Sequence, residues 1–167
     1  MPANGVSQFF ALGLPCGSGF DARSAVFKCF VGTGKDISVI PGTGKKSSTV
    51  SVFEGFMDFL SMLTLRAQEA ARIEATGFPT GRKLVSAHTL DEDVIIFHST
   101  ALKRRAAETI EANDYDHVSL FLDTDTTGRA TTNDLIKELG PARITDLSRL
   151  YAGHNDLNDW LMTNKAK

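Results

Sequence analysis

The sequence lacks a long apolar run, and this absence argues against a membrane-spanning helix. No stretch approaches the roughly 18 consecutive apolar residues that a membrane-spanning helix needs. The opening residues, MPANGVSQFFALGLP, carry no basic segment of the kind that begins a signal peptide. We therefore expect a cytoplasmic protein that does not use a membrane as partner.

Cysteine is also scarce, and the few cysteines present do not suggest a metal site. Cys16 and Cys29 are the only two, and they fit no metal-binding spacing. In a reducing compartment they are expected to be free structural thiols. We predict that this chain holds no zinc site.

An excess of basic charge is missing as well. The net charge is −2, which gives no global signature of a nucleic-acid binder. The charge is nevertheless uneven, with a balance of +3 over residues 1–50 and −5 over residues 114–160. An acidic cluster in a folded protein suits metal binding, and a basic segment suits a phosphate backbone. Ordinary surface charge is the alternative interpretation.

The chain of 167 residues suggests one domain, or one domain with a small appendage. Residues 1–40 place frequent glycines between short apolar runs, a pattern that predicts a small antiparallel β unit. The polar, glycine-rich loop at 41–49 is the best internal boundary. We therefore predict a β-rich N-terminal subdomain over residues 1–49 and a second domain over residues 50–167.

From residue 50 onward, strand and helix patterns alternate. Alternation of this kind predicts an α/β fold with a mostly parallel sheet and helices on its faces. The role of Leu84 and Val85, next to Lys83, stays open between a strand and a connection. The predicted strands span 50–53, 93–98, 118–122 and 142–147, and the predicted helices span 56–70, 99–112, 129–139 and 156–162.

Acidic residues follow two of the predicted strands. Asp123 and Asp125 come after the strand VSLFL, and Glu54 comes after the strand VSVF and before Gly55. In open α/β sheets ligands bind outside the carboxyl ends of strands, where two nearby carboxylates can share a hard cation. Asp123 and Asp125 can also be an N-cap and turn pair ahead of the next helix.

Further polar residues lie at the starts of two predicted helices. Asp58 is four residues after Glu54, and Asp156, Asn158 and Asp159 open the last helix. Parallel topology brings these groups towards the same sheet edge. Each also has a plain structural interpretation, because carboxylates at a helix start cap it or interact with its dipole.

The joint pattern resembles the TOPRIM domain of bacterial-type DNA primases, type IA and II topoisomerases, OLD-family nucleases and recombination mediators. The stretch VSVFEG matches the family's strand ending in Glu-Gly, and FLDTDTTG matches its strand ending in Asp-x-Asp. Primase members extend the first motif to EGFMD and add a late Asp-x-Asp, which Asp156 and Asn158 match with one departure. The likeness covers about residues 50–162 and is nearest to primase-like proteins of bacterial mobile elements.

The resemblance implies a Rossmann-like sheet and phosphoryl transfer that depends on Mg²⁺ or Mn²⁺. The residues that it places in catalysis are Glu54, Asp123 and Asp125. Those that it places on the metal are Glu54, Asp58, Asp123, Asp125 and Asp156. Residues expected beside the site are Gly55, Gly128, Asn158 and Asp159. The bases expected to hold nucleic acid are Arg23, Lys28, Lys103, Arg104, Arg105 and Arg129.

The activity most in line with the resemblance is that of a DNA primase, which joins nucleoside triphosphates into an RNA primer on single-stranded DNA. Replication of a mobile element, with a helicase or another replication or mobilisation protein as partner, is the expected setting. Alternatives are a nuclease or topoisomerase-like module, for which Tyr115 and Tyr151 are the only tyrosine nucleophiles available, and a non-catalytic DNA-binding module of recombination or repair. Asn158, in place of an acid, weakens the case for a full primase metal set. A solvated helix face is the alternative for the bases at 103–105.

Overall fold

The structure, a computed structural model, describes residues 10–44, 46–76 and 90–165. The chain divides into two compact units, with the boundary between Asp36 and Ile37. The predicted loop at 77–81 and the ambiguous segment around Lys83 lie outside the described residues. None of the described helices combines the length and the apolar character needed to cross a membrane.

The first unit contains a three-stranded antiparallel sheet. Its strands are β1 (Leu12–Cys16), β2 (Gly19–Arg23) and β3 (Lys28–Gly32), which pair in that order. Gly17, with a φ of 62°, occupies the turn between β1 and β2 in a conformation that favours glycine. The predicted antiparallel pairing is confirmed over residues 12–32, whereas the apolar run at 37–40, predicted to belong to the same β unit, lies in the second unit.

The second unit is built on a five-stranded, mostly parallel sheet, which confirms the predicted α/β class. Its strand order is β4-β6-β5-β7-β8, and only β4 runs antiparallel to its neighbour. Because β4 pairs with β6, this strand belongs to the second unit, and the division between units falls earlier than the predicted boundary at residue 49. The strands are β4 (Ser38–Ile40), β5 (Thr49–Phe53), β6 (Asp93–Ile96), β7 (His117–Phe121) and β8 (Ile144–Asp146).

Four α-helices lie in the described part of this unit. All four differ from the predicted bounds: α1 runs on past residue 70, α3 begins three residues early because Asp125 caps it, and α4 begins at residue 157 and runs on past residue 162. The predicted helix at 99–112 is a 3-10 turn, Thr100–Leu102, followed by α2. The helices are α1 (Phe56–Thr76), α2 (Lys103–Asn113), α3 (Thr126–Leu139) and α4 (Leu157–Lys165).

The central strands are buried, which explains their apolar sequences. Val50, Val52 and Val118 have no exposed surface, and neither has Leu120. Parallel strands covered by helices on both faces need apolar residues at nearly every position. The same burial makes the polar residues just beyond each strand the first groups that a ligand can reach.

The order of the strands creates a crevice between β5 and β7. The connection from β5 leads through α1 to β6 on one side, and the connection from β7 leads through α3 to β8 on the other side. Phe53 and Phe121 are paired neighbours at the ends of β5 and β7, and their rings stack with centroids 4.7 Å apart. In open α/β sheets, such a point of divergence is where ligands bind.

Candidate functional site

Glu54 and Asp123 lie at the crevice between β5 and β7. Glu54 follows Phe53 directly, and Asp123 comes two residues after Phe121, the register partner of Phe53. Both acids are partly buried, and the Oε2 atom of Glu54 is fully covered. The predicted pairing of the Glu-Gly and Asp-x-Asp segments at one sheet edge is what the strand order produces, with Gly55 beginning the turn into α1.

Asp125 is the N-cap of α3. Its Oδ1 atom accepts a hydrogen bond of 2.7 Å from the backbone N–H of Gly128. A Cβ atom on Gly128 would lie 2.1 Å from the backbone oxygen of Asp123, so only glycine lets the first turn of α3 come this close to the strand end. The capping interpretation is therefore correct for Asp125, and the cap directs the N-terminus of a helix towards the acidic edge.

Asp58 is a buried carboxyl in a crowded acidic environment. It is 6% exposed, and its Oδ1 atom accepts a hydrogen bond of 3.1 Å from the backbone N–H of Asn158. Burial first, and then the negative charges of Asp156 and Asp123, raise the pKa of Asp58 to about 7 against the lowering effect of that hydrogen bond. Acids from α1, from the end of β7 and from the start of α4 are thus close enough to repel one another.

Asn158, the residue that departs from the acidic pattern, joins α4 to α1. Its backbone N–H binds Asp58, and its side-chain Oδ1 atom accepts a hydrogen bond of 3.2 Å from the hydroxyl of Ser61. Asp156 caps the first turn of α4, because its Oδ1 atom accepts a hydrogen bond of 2.6 Å from the N–H of Asp159. The side chain of Asp159, in the first turn of α4, turns back to the preceding loop, where its Oδ2 atom accepts a hydrogen bond of 3.1 Å from the N–H of Asn155.

The loop after β7 and the loop before α4 are bonded to each other through Thr124. The backbone N–H of Thr124 donates to the oxygen of Asn155 at 2.8 Å, and its hydroxyl donates to the oxygen of His154 at 2.7 Å. These bonds hold the loop of Asp123 beside the loop of Asp156. The predicted convergence of residues so distant in sequence therefore has a direct structural cause.

Two residues of this edge were not predicted as part of the site. Asp146 was not considered, and Tyr151 was considered only as a tyrosine nucleophile. The pKa of the Tyr151 hydroxyl is raised above its ordinary value, first by burial and then by the charges of Asp58, Asp146, Asp123 and Asp156. Asp146 ends β8 and accepts a hydrogen bond of 2.9 Å from the N–H of Ser148. An acid at a strand end is the signal that would have found it.

Neither tyrosine is poised to act as a nucleophile. The Tyr151 hydroxyl is buried and donates to the backbone oxygen of Leu122 at 2.8 Å. The Tyr115 hydroxyl donates to Asp93 at 2.6 Å, at the opposite edge of the sheet, where β6 begins. Burial first, and then these carboxylates, raise the pKa of both phenols, which makes the phenolate nucleophile costly to form. This geometry does not favour a topoisomerase.

Of the basic residues predicted to hold nucleic acid, Arg129 makes a hydrogen bond at the acidic edge. Its Nε donates to the backbone oxygen of Thr124 at 2.6 Å, and the side chain is exposed. Lys103 forms an ion pair with Asp134. Arg104 and Arg105 are both exposed, and Arg104 lies 3.7 Å from Glu108. In the first unit, Lys28 is exposed on β3, and Arg23 lies 3.8 Å from Asp21.

The acidic residues fit an open site for a hard cation better than a closed one. Among the described residues, no three carboxylate, histidine or cysteine side chains converge as a complete metal cage. Mg²⁺ does not require one, because it usually keeps several waters and takes one or two protein carboxylates together with substrate phosphates. Such a cation would suit the oxygen-only donors, and it would also offset the burial and the repulsion by Asp156 and Asp123 that raise the pKa of Asp58. The assignment of individual ligands stays a prediction.

The fold is similar to that of known primase structures. The primase fragment of the bacteriophage T7 primase-helicase matches with a TM-score of 0.57 and 16% identity, over 89% of this chain and 53% of that one. A chain of the complex of bacteriophage T7 lagging-strand DNA polymerase with primase domains bound to an RNA/DNA hybrid and dTTP matches with a TM-score of 0.51 and 17% identity, over 88% of this chain and 65% of that one. This chain therefore spans less than two thirds of either, and at these identities the likeness concerns the fold.

Sequence comparison gives a family and no individual relative. No curated protein is similar enough to count as a match. The family model described as Toprim-like covers residues 51–161, well over half of the chain and all of the acidic edge. TOPRIM domains generally bind Mg²⁺, in keeping with the donors found here. By this match, the chain belongs to the Toprim-like family.

Proposed function

We propose that the chain catalyses nucleotidyl transfer on nucleic acid with the help of Mg²⁺, as the catalytic portion of a primase that makes RNA primers on single-stranded DNA. The observation that carries the proposal is the convergence of acids at the crevice between β5 and β7, where burial and the charges of Asp156 and Asp123 together raise the pKa of Asp58 to about 7. The proposed substrates are a single-stranded DNA template and nucleoside triphosphates. The proposed setting is cytoplasmic replication of a mobile element, with a helicase or another replication protein as partner.

The chemistry follows from where the acids lie. A divalent cation, when bound, stabilises the charge that phosphoryl transfer places on the attacking and leaving oxygens. Asp123 and Asp125 flank the N-terminus of α3 and are the residues that would hold it, with Asp58 and Asp156 on the facing elements. Glu54 follows the end of the adjacent strand, and in this proposal it would accept the proton of the attacking hydroxyl.

The nucleic acid would be held by exposed bases at the same edge. Arg129 lies in the first turn of α3 and is fixed to the loop of Asp123 through Thr124. Arg104 and Arg105 begin α2, which follows the carboxyl end of β6. Their positive charge compensates the local acidity for an incoming phosphate backbone.

A primer-synthesis assay tests the proposal. The chain is incubated with single-stranded DNA, labelled nucleoside triphosphates and Mg²⁺, and we expect short labelled RNA that disappears when the metal is chelated. Asp123→Asn and Glu54→Gln should abolish the product. Asp114→Asn is the matched control, because Asp114 is an exposed acid with a φ of 57°, which asparagine tolerates, at the opposite edge of the sheet.

The same reaction separates the alternatives. Cleavage of the DNA template without synthesis would assign the acids to a nuclease. Binding of single-stranded DNA with neither synthesis nor cleavage would assign the chain to a non-catalytic module. Equal primer synthesis by the wild-type chain and Asp123→Asn would contradict the proposed role of the acidic edge.

A further inference from the structure

We propose that Tyr151 is a positioning residue for the acidic site, because it fixes the end of β7 to the segment that leads into α4. The proposal rests on the proposed function to the extent that the acidic edge binds a divalent cation. It adds a residue that belongs to neither of the acidic motifs. The role is carried by a neutral side chain, so it concerns where the carboxylates lie and leaves their charge unchanged.

The first observation is the buried hydrogen bond that Tyr151 makes. Its side chain is 1% exposed, and its hydroxyl donates to the backbone oxygen of Leu122 at 2.8 Å. Leu122 is itself 1% exposed and directly precedes Asp123. The bond therefore fixes the peptide from which the Asp123 side chain departs, in a place where water cannot substitute for the lost donor.

The second observation is that Tyr151 lies at the start of the loop that carries Asp156. It ends the 3-10 turn Ser148–Tyr151, and its backbone oxygen accepts a hydrogen bond of 3.1 Å from the N–H of His154. The next two links between the loops are the bonds from Thr124 to His154 and Asn155. The loop of Asp123 and the loop of Asp156 are thus joined at three points, of which the Tyr151 bond is the buried one.

The third observation is that several carboxylates of the acidic edge are close enough to Tyr151 for their charges to act on its hydroxyl. The charges of Asp58, Asp123, Asp146 and Asp156 all act on the Tyr151 hydroxyl, and these acids come from α1, the end of β7, the end of β8 and the start of α4. The buried phenol is thus close to acids from all four of these elements, and its bond to Leu122 fixes one of them, Asp123, at the backbone. Groups that orient the ligands of a metal are typically worth about 10- to 100-fold in metal affinity.

Tyr115 supplies a matched control within the same unit. It is 2% exposed, and its hydroxyl also makes a single short bond, 2.6 Å to Oδ2 of Asp93. Asp93 begins β6, so this bond lies at the amino end of the parallel strands, away from the acidic edge. Replacing either tyrosine by phenylalanine removes one buried hydroxyl and no charge, and a general loss of stability should be comparable in the two variants.

The test is a calorimetric titration of Mn²⁺ into the wild-type chain, Tyr151→Phe and Tyr115→Phe, with circular dichroism to confirm that each is folded. We expect Tyr151→Phe to bind Mn²⁺ at least about tenfold more weakly, and Tyr115→Phe to bind like the wild type. Thr124→Val removes the hydroxyl bond to His154 and keeps a side chain of the same shape, so it should weaken binding as well. If Tyr151→Phe does not fold, the Mn²⁺ affinity of Thr124→Val decides whether the bonds between the two loops position the site.

Two results would overturn the proposal, and they differ in what else they affect. Wild-type affinity in the folded Tyr151→Phe variant, or in Thr124→Val if that variant alone folds, would remove the positioning role and leave the cation site standing. A wild-type chain that binds no Mn²⁺ would remove the cation site of the proposed function and the role of Tyr151 together.

Discussion

Replacing Gly128 by alanine should reveal how tightly α3 is docked on the end of β7. The added Cβ atom would lie 2.1 Å from the backbone oxygen of Asp123, 2.6 Å from its carbonyl carbon and 2.9 Å from its Cβ. Two of these three atoms belong to the backbone, so no rotation of a side chain can relieve the contact. The first turn of α3 must move away from Asp123, and it carries the Asp125 cap with it.

Two opposing effects set the size of the change. Alanine is favoured over glycine inside a helix by about 0.8–1 kcal/mol, which by itself would stabilise the variant. Overpacking typically costs about 1–3 kcal/mol, and a clash with the backbone belongs at the upper end of that range. We expect Gly128→Ala to lower the free energy of unfolding by about 2 kcal/mol, opposite in sign to the effect at an unobstructed helical position.

Urea unfolding measures this difference, with Gly44→Ala as the control. A Cβ atom on Gly44 would meet nothing within 4 Å, so that substitution should leave the midpoint nearly unchanged. Gly128→Ala should lower the midpoint without changing the dependence on urea, and primer synthesis should fall by more than the loss of folded protein explains. Stability and activity equal to or above the wild type would refute the requirement for close docking of α3 on Asp123.

Three other substitutions test the acidic edge. The pKa of Asp58 is about 7 in the folded protein and 3.8 ordinarily, so between these values the folded state holds a proton that the unfolded state has released. Stability should therefore fall by about 3 kcal/mol as the pH rises from 4 to 7. Thermal melts of Asp58→Asn should lose this slope, whereas an unchanged slope would contradict the assignment. Asp125→Asn should keep the helix cap and the stability to within about 0.5 kcal/mol but lose Mg²⁺-dependent synthesis, and full synthesis would show that the cap is the only role of Asp125. Arg129→Ala should weaken binding to single-stranded DNA and reduce the slope of log affinity against log salt by about 1; an identical slope in fluorescence titrations would place the phosphate elsewhere.

The parallel sheet could be predicted from sequence because its signals are local. Apolar runs such as that from Val118 to Leu122 predict buried strands, and the acids that follow indicate where those strands end. Strand β4 could not be assigned in the same way. It has three residues, and its place beside β6 depends on antiparallel pairing with residues 94–96, which no local pattern encodes.

Part of the candidate site could be predicted from the sequence for the same reason. Capping and site formation were weighed as alternatives for Asp125, yet a carboxylate has two oxygens, and Oδ1 alone serves the cap. The roles of Asp58 and Tyr151 depend on burial and on partners far away in sequence. Periodicity shows neither of these, which is why a pKa near 7 and a bond to Leu122 appear only in the folded structure.

The hydrogen bond between Asp58 and Asn158 also constrains the order of folding. It joins residues that are 100 positions apart, and closing a loop of that length costs about 4 kcal/mol of chain entropy. Contacts of such high sequence separation are expected to form late, after the more local β-α-β pairings have reduced the loop to be closed. An early intermediate with an assembled sheet would therefore leave Asp58 in water as an ordinary carboxylate. The acidic edge would acquire its unusual protonation only at the last step, when α4 docks.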